Sequence, residues 1–188
     1  IIKLDTFVND KYKQLIDRLE NSYERNITIK GRTKLELEDV EFNMKLESLS
    51  RVFDGLPVKI HAHQADDIMT AIRIAKEFNL DMTVEHATEG YLIADVLKEN
   101  NQRVIIGPTL GNKSKYELKE KSFKSGKVLS DAGVSFAIMT DHPVIEQKHT
   151  LVQLALFVKE GLDELEALKA VTINAAKLCH IDDKVGSI

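Results

Sequence analysis

"VKIHAHQADDIMTAIRIAKEFNLDMTVEH", residues 58–86, decides the fold. It opens with a short β-type run, "VKIHA" (58–62). In "DDIMTAIRIAKEFN" (66–79), Ile68, Ile72, Ala75 and Phe78 then fall on one helical face. A second apolar run, "MTVEH" (82–86), closes the stretch. Strand, helix and strand in so short a space read as a βαβ unit, whose two strands lie parallel. The rhythm continues to the right. "GYLIADVLKENN" (90–101) reads as a helix, "RVIIG" (103–107) as a strand, and "KYELKEKSFKSGKVLSDAG" (115–133) as containing a helix. "VSFAIMT" (134–140) reads as the fourth strand, followed by the helices "TLVQLALFVKEG" (150–161) and "LDELEALKAVTINAAKL" (162–178), with Asp163 as N-cap of the last. The strands are mostly apolar, which implies parallel strands covered by helices and an α/β class.

To the left the text is less regular. Residues 3–24 place Leu4, Phe7, Leu15, Ile16 and Leu19 at steps that suit an amphipathic helix. The highly charged "NITIKGRTKLELEDVEF" reads as a surface excursion over 26–41, and "NMKLESLSRVF" as a short helix stopped by Gly55 and Pro57. Residues 1–44 are thus expected to be a helical, charged insert, and 45–188 the regular α/β part.

Composition narrows the function. The chain has 188 residues, 43% of them hydrophobic, enough for one sizeable core. A formal charge of −4 lacks the concentrated basic face of a nucleic-acid binder. No apolar run approaches the roughly 20 residues that span a bilayer. A single cysteine, Cys179, rules out an internal disulfide and suits a reducing cytoplasm; its apolar helix-end setting reads as packing. The chain does not begin with Met and stops abruptly at "KVGSI", which reads as a piece of a longer protein.

Each strand ends in something chemically unusual. The first ends at His61 and His63, the second at His86, the third at "GPTLGNKS" and the fourth at Asp141 in "MTDHP". In parallel α/β folds the C-terminal strand ends form the functional side. Three strands therefore deliver imidazoles and a carboxylate to one rim, a donor set suited to a zinc-like divalent cation. Taken singly each has a plainer reading: a lone histidine can be a hydrogen-bonded structural residue, and Asp141 can cap a turn. "GPTLGNKS" fails as a phosphate loop, because its glycines are too close and Asn112 intervenes before Lys113.

"PVKIHAHQADDI", "VEHATEG", "MTDHP" and "AVTINAAKLCHIDDKVGSI" together resemble the C-terminal half of an amidohydrolase-superfamily enzyme of the imidazolonepropionase-related kind. The resemblance implies a partial (β/α)8 TIM barrel, with strands 5–8 of the parent and their covering helices. It implies His61, His86 and Asp141 as metal ligands, with Asp141 and His86 catalytic. His63, His142 and Lys113 are implied on the substrate side, and Glu85 and Asp66 as partners of the ligands, although alternation along the strand points Glu85 away. The "HAH" cannot be the His-x-His of strand 1. From His61 to Asp141 is 80 residues, whereas seven βα steps of about 25–30 residues would need about 200. The implied cofactor is a divalent metal, zinc first and iron or manganese as alternatives, absent if the piece alone cannot hold it. The implied reaction is hydrolysis of an amide-like C–N bond in a small molecule by a metal-bound hydroxide. A half barrel would expose two unpaired edges and an apolar inner face, so a homo-oligomer is expected. The competing readings are a metal-free barrel lyase or isomerase using the histidines as acid–base groups, and a catalytically incompetent half barrel serving as an assembly module.

Overall fold

The computed structural model of this protein describes residues 44–187. The helix expected over 3–24 and the excursion over 26–41 lie outside them. α1 (Met44–Phe53) ends as its sequence dictates. Gly55 takes the left-handed φ of +92°, and the Leu56 and Gly55 amides donate back to the Arg51 and Val52 carbonyls.

Residues 57–188 form a compact unit of their own. Its sheet is β1 (Val58–Ala62), β2 (Met82–His86), β3 (Arg103–Ile106) and β4 (Phe136–Ile138), parallel and in chain order. The helices between and after them are α2 (Ala65–Phe78), α3 (Ala94–Glu99), α4 (Lys124–Asp131), α5 (Thr150–Lys159), α6 (Glu164–Ala170) and α7 (Ile173–Leu178). Ile60, Val84, Val104 and Phe136 lie in one cross-strand row. That row meets Ile68 and Ile72 of α2, Leu97 of α3, Leu129 of α4, and Leu154 and Phe157 of α5 in one core. The crossover helices therefore cover a single face of a parallel sheet in sequential order. A doubly wound sheet would carry them on both faces; this arrangement is a sector of a (β/α)8 barrel.

The opposite, inner face corrects one expectation. β1 and β2 present Lys59, His61, Thr83 and Glu85 there, a polar surface with an ion pair of 2.9 Å between Lys59 and Glu85. The apolar part of that face, Ile105 and Ala137, is buried against Leu178 of α7. A second correction concerns the helix read over 162–178. It starts as expected, with the Asp163 carboxylate accepting from the Leu165 and Glu166 amides, but it breaks into α6 and α7 at Val171 and Thr172. Thr172 has a non-helical ψ of −102°, and its hydroxyl turns back onto the Leu168 carbonyl. The break redirects α7 under the sheet. There His180 meets Asp81 at 3.0 Å, and Asp81 also pairs with Arg103, at the N-terminal ends of β2 and β3. Cys179, expected to be packed, is exposed just after α7. No helix among the described residues is long and apolar enough to cross a membrane.

Candidate metal centre

His61 lies near the end of β1, His63 directly after it, and His86 is the last residue of β2. His61 and His63 share a side because alternate strand residues do. His86 does not get there by alternation: it is in register with Ala62, whose side chain belongs to the helix-facing core. Its φ of +71° breaks the pleat and brings its ring to 4.1 Å from that of His61, centroid to centroid. The ring of His63 lies 4.7 Å from His86 and 4.8 Å from His61. One ring nitrogen of each of the three falls within 4.8 Å of the others. The Nε2 atoms of His61 and His63 are 3.0 Å apart.

The protonation pattern suits a cation. His86 Nδ1 donates to the Gly107 carbonyl at 2.8 Å; since a carbonyl only accepts, Nε2 keeps its lone pair. Burial lowers the pKa of His86 below the ordinary value. The pKa of His63 falls to about 4, through burial first and the neighbouring His86 second, with Glu117 opposing. Both rings are therefore neutral at pH 7, the form that ligates metals. Three imidazoles converging at the C-terminal end of parallel strands fit a zinc-like divalent ion.

The strand ends are held by a mesh of hydrogen bonds. The loop after β2 grips the loop after β1: the Ala87 amide donates to the Ala62 carbonyl (3.0 Å) and the Glu89 amide to the His63 carbonyl (2.8 Å). The buried Glu89 carboxylate accepts from the Ala65 amide (2.9 Å). Thr88 Oγ1 lies 2.7 Å from His63 Nδ1. On the other side, the fully buried Gln153 of α5 accepts from the Thr109 amide (3.1 Å) and donates to the Met139 carbonyl (2.9 Å), tying the ends of β3 and β4 together. Gly107 fits there because it has a φ of +124° and because a Cβ would sit 2.2 Å from the Met139 oxygen.

A cavity of about 240 Å³ opens over the histidines. His61, His63, His86 and Asp141 all line it. Asp141 sits just beyond β4 with a left-handed φ of +53°, and its charge opposes the lowering of the His86 pKa by burial, though its carboxylate is not part of the nitrogen cluster. Left-handed backbone at two non-glycine strand ends, both in the cavity wall, is the kind of strain that marks functional sites. Lys113 and His142 are outside the lining: Lys113 donates to the Lys119 carbonyl at 2.7 Å, and His142 is exposed. Glu85 is held by Lys59, and Asp66 is exposed in the first turn of α2. The structure adds side chains that sequence reasoning did not single out. Glu117 lies 3.9 Å from His63 Nε2, and Lys121 lines the cavity beside it. Thr88, Glu89 and Gln153 do the positioning. Gln153 alone had a signal, as a glutamine inside the apolar "LVQLALF".

The sequence profile of the Amidohydrolase family matches residues 9–188. The structure is similar to that of an amidohydrolase from Thermotoga maritima MSB8, with 35% identity and a TM-score of 0.76, covering 97% of this chain and 46% of that one. It is also similar in fold to a Xaa-Pro dipeptidase solved with bound methionine in its active site, at 23% identity and a TM-score of 0.55, covering 74% of this chain and 38% of that one. The chain thus spans less than half the length of either protein. No match is found among curated proteins. A parallel barrel sector with histidines gathered at its C-terminal rim, a matching profile and a close structural counterpart agree: the chain belongs to the amidohydrolase family.

Proposed function

We propose that this chain carries the metal-binding half of a hydrolase site that cleaves amide-like C–N bonds, with His61 and His86 as ligands of one divalent cation. The observation that carries this reading is the cluster of imidazole nitrogens within 4.8 Å at the mouth of a cavity that also holds Asp141. When bound, the cation supplies Lewis acidity, which makes water a competent nucleophile near neutral pH. Asp141, facing the same cavity, takes the proton of the attacking water and returns it to the departing nitrogen, so that a C–O bond forms as the C–N bond breaks. Among the cationic side chains of the third strand-end loop, Lys115 and Lys121 reach the cavity and Lys113 does not, so Lys115 and Lys121 are the candidates for substrate contact.

The active unit is proposed to contain more strands than the four described. A barrel of this family closes with eight, and the outer edges of β1 and β4 have no strand partner among the described residues. A second copy of the chain or a further segment of polypeptide would complete the wall.

The test combines metal analysis with a hydrolysis panel of dipeptides, N-acyl amino acids and ring amides. Zinc, iron or manganese should co-purify and support turnover. Asp141→Asn should lower kcat by about 100-fold or more, the usual contribution of a positioned acid–base group. Full hydrolysis by protein stripped of metal would remove the metal-dependent reading in favour of metal-free acid–base chemistry.

A further inference from the structure

We propose that His63 is a third nitrogen donor of the metal site and that the Thr88 hydroxyl is the positioning group that sets its tautomer. This inference rests on the metal reading above and goes beyond the pair of histidines it invokes.

His63 is nearly inaccessible, at 7% exposure, and its Nε2 faces His61 Nε2 at 3.0 Å. Two lone pairs do not face each other at that distance without a proton or a cation between them. Without a cation, one of the two rings must therefore donate to the other. The partner on the far side of His63 decides whether this ring can change roles. His86 is locked, because the Gly107 carbonyl can only accept from its Nδ1. His63 is not locked: its Nδ1 partner is Thr88 Oγ1 at 2.7 Å, and a hydroxyl both donates and accepts. With Thr88 donating to Nδ1, His63 carries its proton on Nε2 and closes the contact with His61. With Thr88 accepting from Nδ1–H, the Nε2 lone pair is free to ligate. The same Thr88 partner thus satisfies His63 Nδ1 in the empty and in the loaded cluster.

The backbone around Thr88 supports the role. Ala87 and Glu89, on either side of it, are tied by their amides to the Ala62 and His63 carbonyls, and the Glu89 carboxylate holds the Ala65 amide. The hydroxyl is therefore held on the ring by three bonds that do not involve its own side chain. Such outer partners commonly alter metal affinity by 10–100-fold.

The test is cobalt(II) titration of the whole metal-free 188-residue chain, followed by calorimetry and by the visible absorption of the bound ion. Thr88→Val keeps the shape and removes the hydroxyl; it should weaken cobalt binding about 10–100-fold, and Thr88→Ser should restore it. His63→Ala should weaken binding at least as much and change the absorption bands, because a ligand is lost. His142→Ala, outside the cavity, should do neither. Independently of any variant, nitrogen NMR of the zinc-loaded chain should show His63 protonated at Nδ1. Unchanged affinity and spectra in both Thr88→Val and His63→Ala, or a His63 protonated at Nε2 in the loaded chain, would overturn this inference while leaving the His61 and His86 site standing. A chain that binds neither cobalt nor zinc would overturn both.

Discussion

At the scale of the residue, protonation of the histidine cluster is linked to stability. His63 titrates near 4 in the folded chain, against about 6.5 when unfolded. Between those values the unfolded state binds the proton and the folded state does not, so stability rises with pH across that window and falls as the medium is acidified through it. The metal-free chain should therefore melt at a lower temperature at pH 5 than at pH 7. His63→Gln, which cannot take up the proton, should show a smaller drop. An identical drop in the variant would mean that other groups cause it. His86 acts in the same direction, because burial also lowers its pKa.

At the scale of the element, two positions separate local from tertiary stabilisation. Asp163 caps α6 through two amides at 2.9 and 3.1 Å, in the open. Asp163→Ala should lower stability by about 1 kcal/mol and leave metal affinity unchanged. Gln153 binds three backbone groups from inside the core: the amides of Thr109 and Leu110 and the carbonyl of Met139. Gln153→Leu matches its apolar neighbours on α5 yet strands these partners, each worth about 1–3 kcal/mol when buried and unpaired. Urea unfolding should show the leucine variant to be the more damaged of the two, and the reverse order would remove the clamp from the account of the β3 and β4 ends. Elements were legible where side-chain period decided them: β1 and β2 run over the residues read as strands, whereas β4 is shorter, 136–138 rather than 134–140. Val171 and Thr172 show where legibility ended. Helical spacing runs straight through them, and the break answers to a surface beneath the sheet that α7 must reach.

At the scale of the whole molecule, the metal reading and the edge strands each make a claim about bulk behaviour. A cation bound only by the folded chain stabilises it by mass action, about 2.7 kcal/mol when free metal is at 100 times Kd. Zinc should therefore raise the melting temperature, and a chelator should reverse the gain. No change on chelation of a metal-loaded sample would count against a folded-state site. The edges of β1 and β4, which have no strand partner among the described residues, are expected to recruit one from a second chain, so light scattering should report a mass above the 21.2 kDa of one chain. A monodisperse monomer at high concentration would show that the edges are satisfied within the chain. Association here would be edge-driven, because the inner face of β1 and β2 is polar and Ile105 and Ala137 are already covered by Leu178.

The sequence by itself determined the α/β class, the parallel order and the rim that carries chemistry, since periodicity and strand-end residues are local and survive without three-dimensional context. It also carried the family, through motifs long enough to be specific. Only the tertiary structure decided how the histidines meet. The ring of His86 joins His61 through a left-handed backbone turn that no pattern announces. The proximity of His63 to Thr88, of Glu89 to Ala65 and of Gln153 to Met139 comes from segments separated along the chain that touch only once the sheet is formed. Spacing along a chain fixes which residues share a strand, while contacts between strand ends depend on how the sheet brings them together.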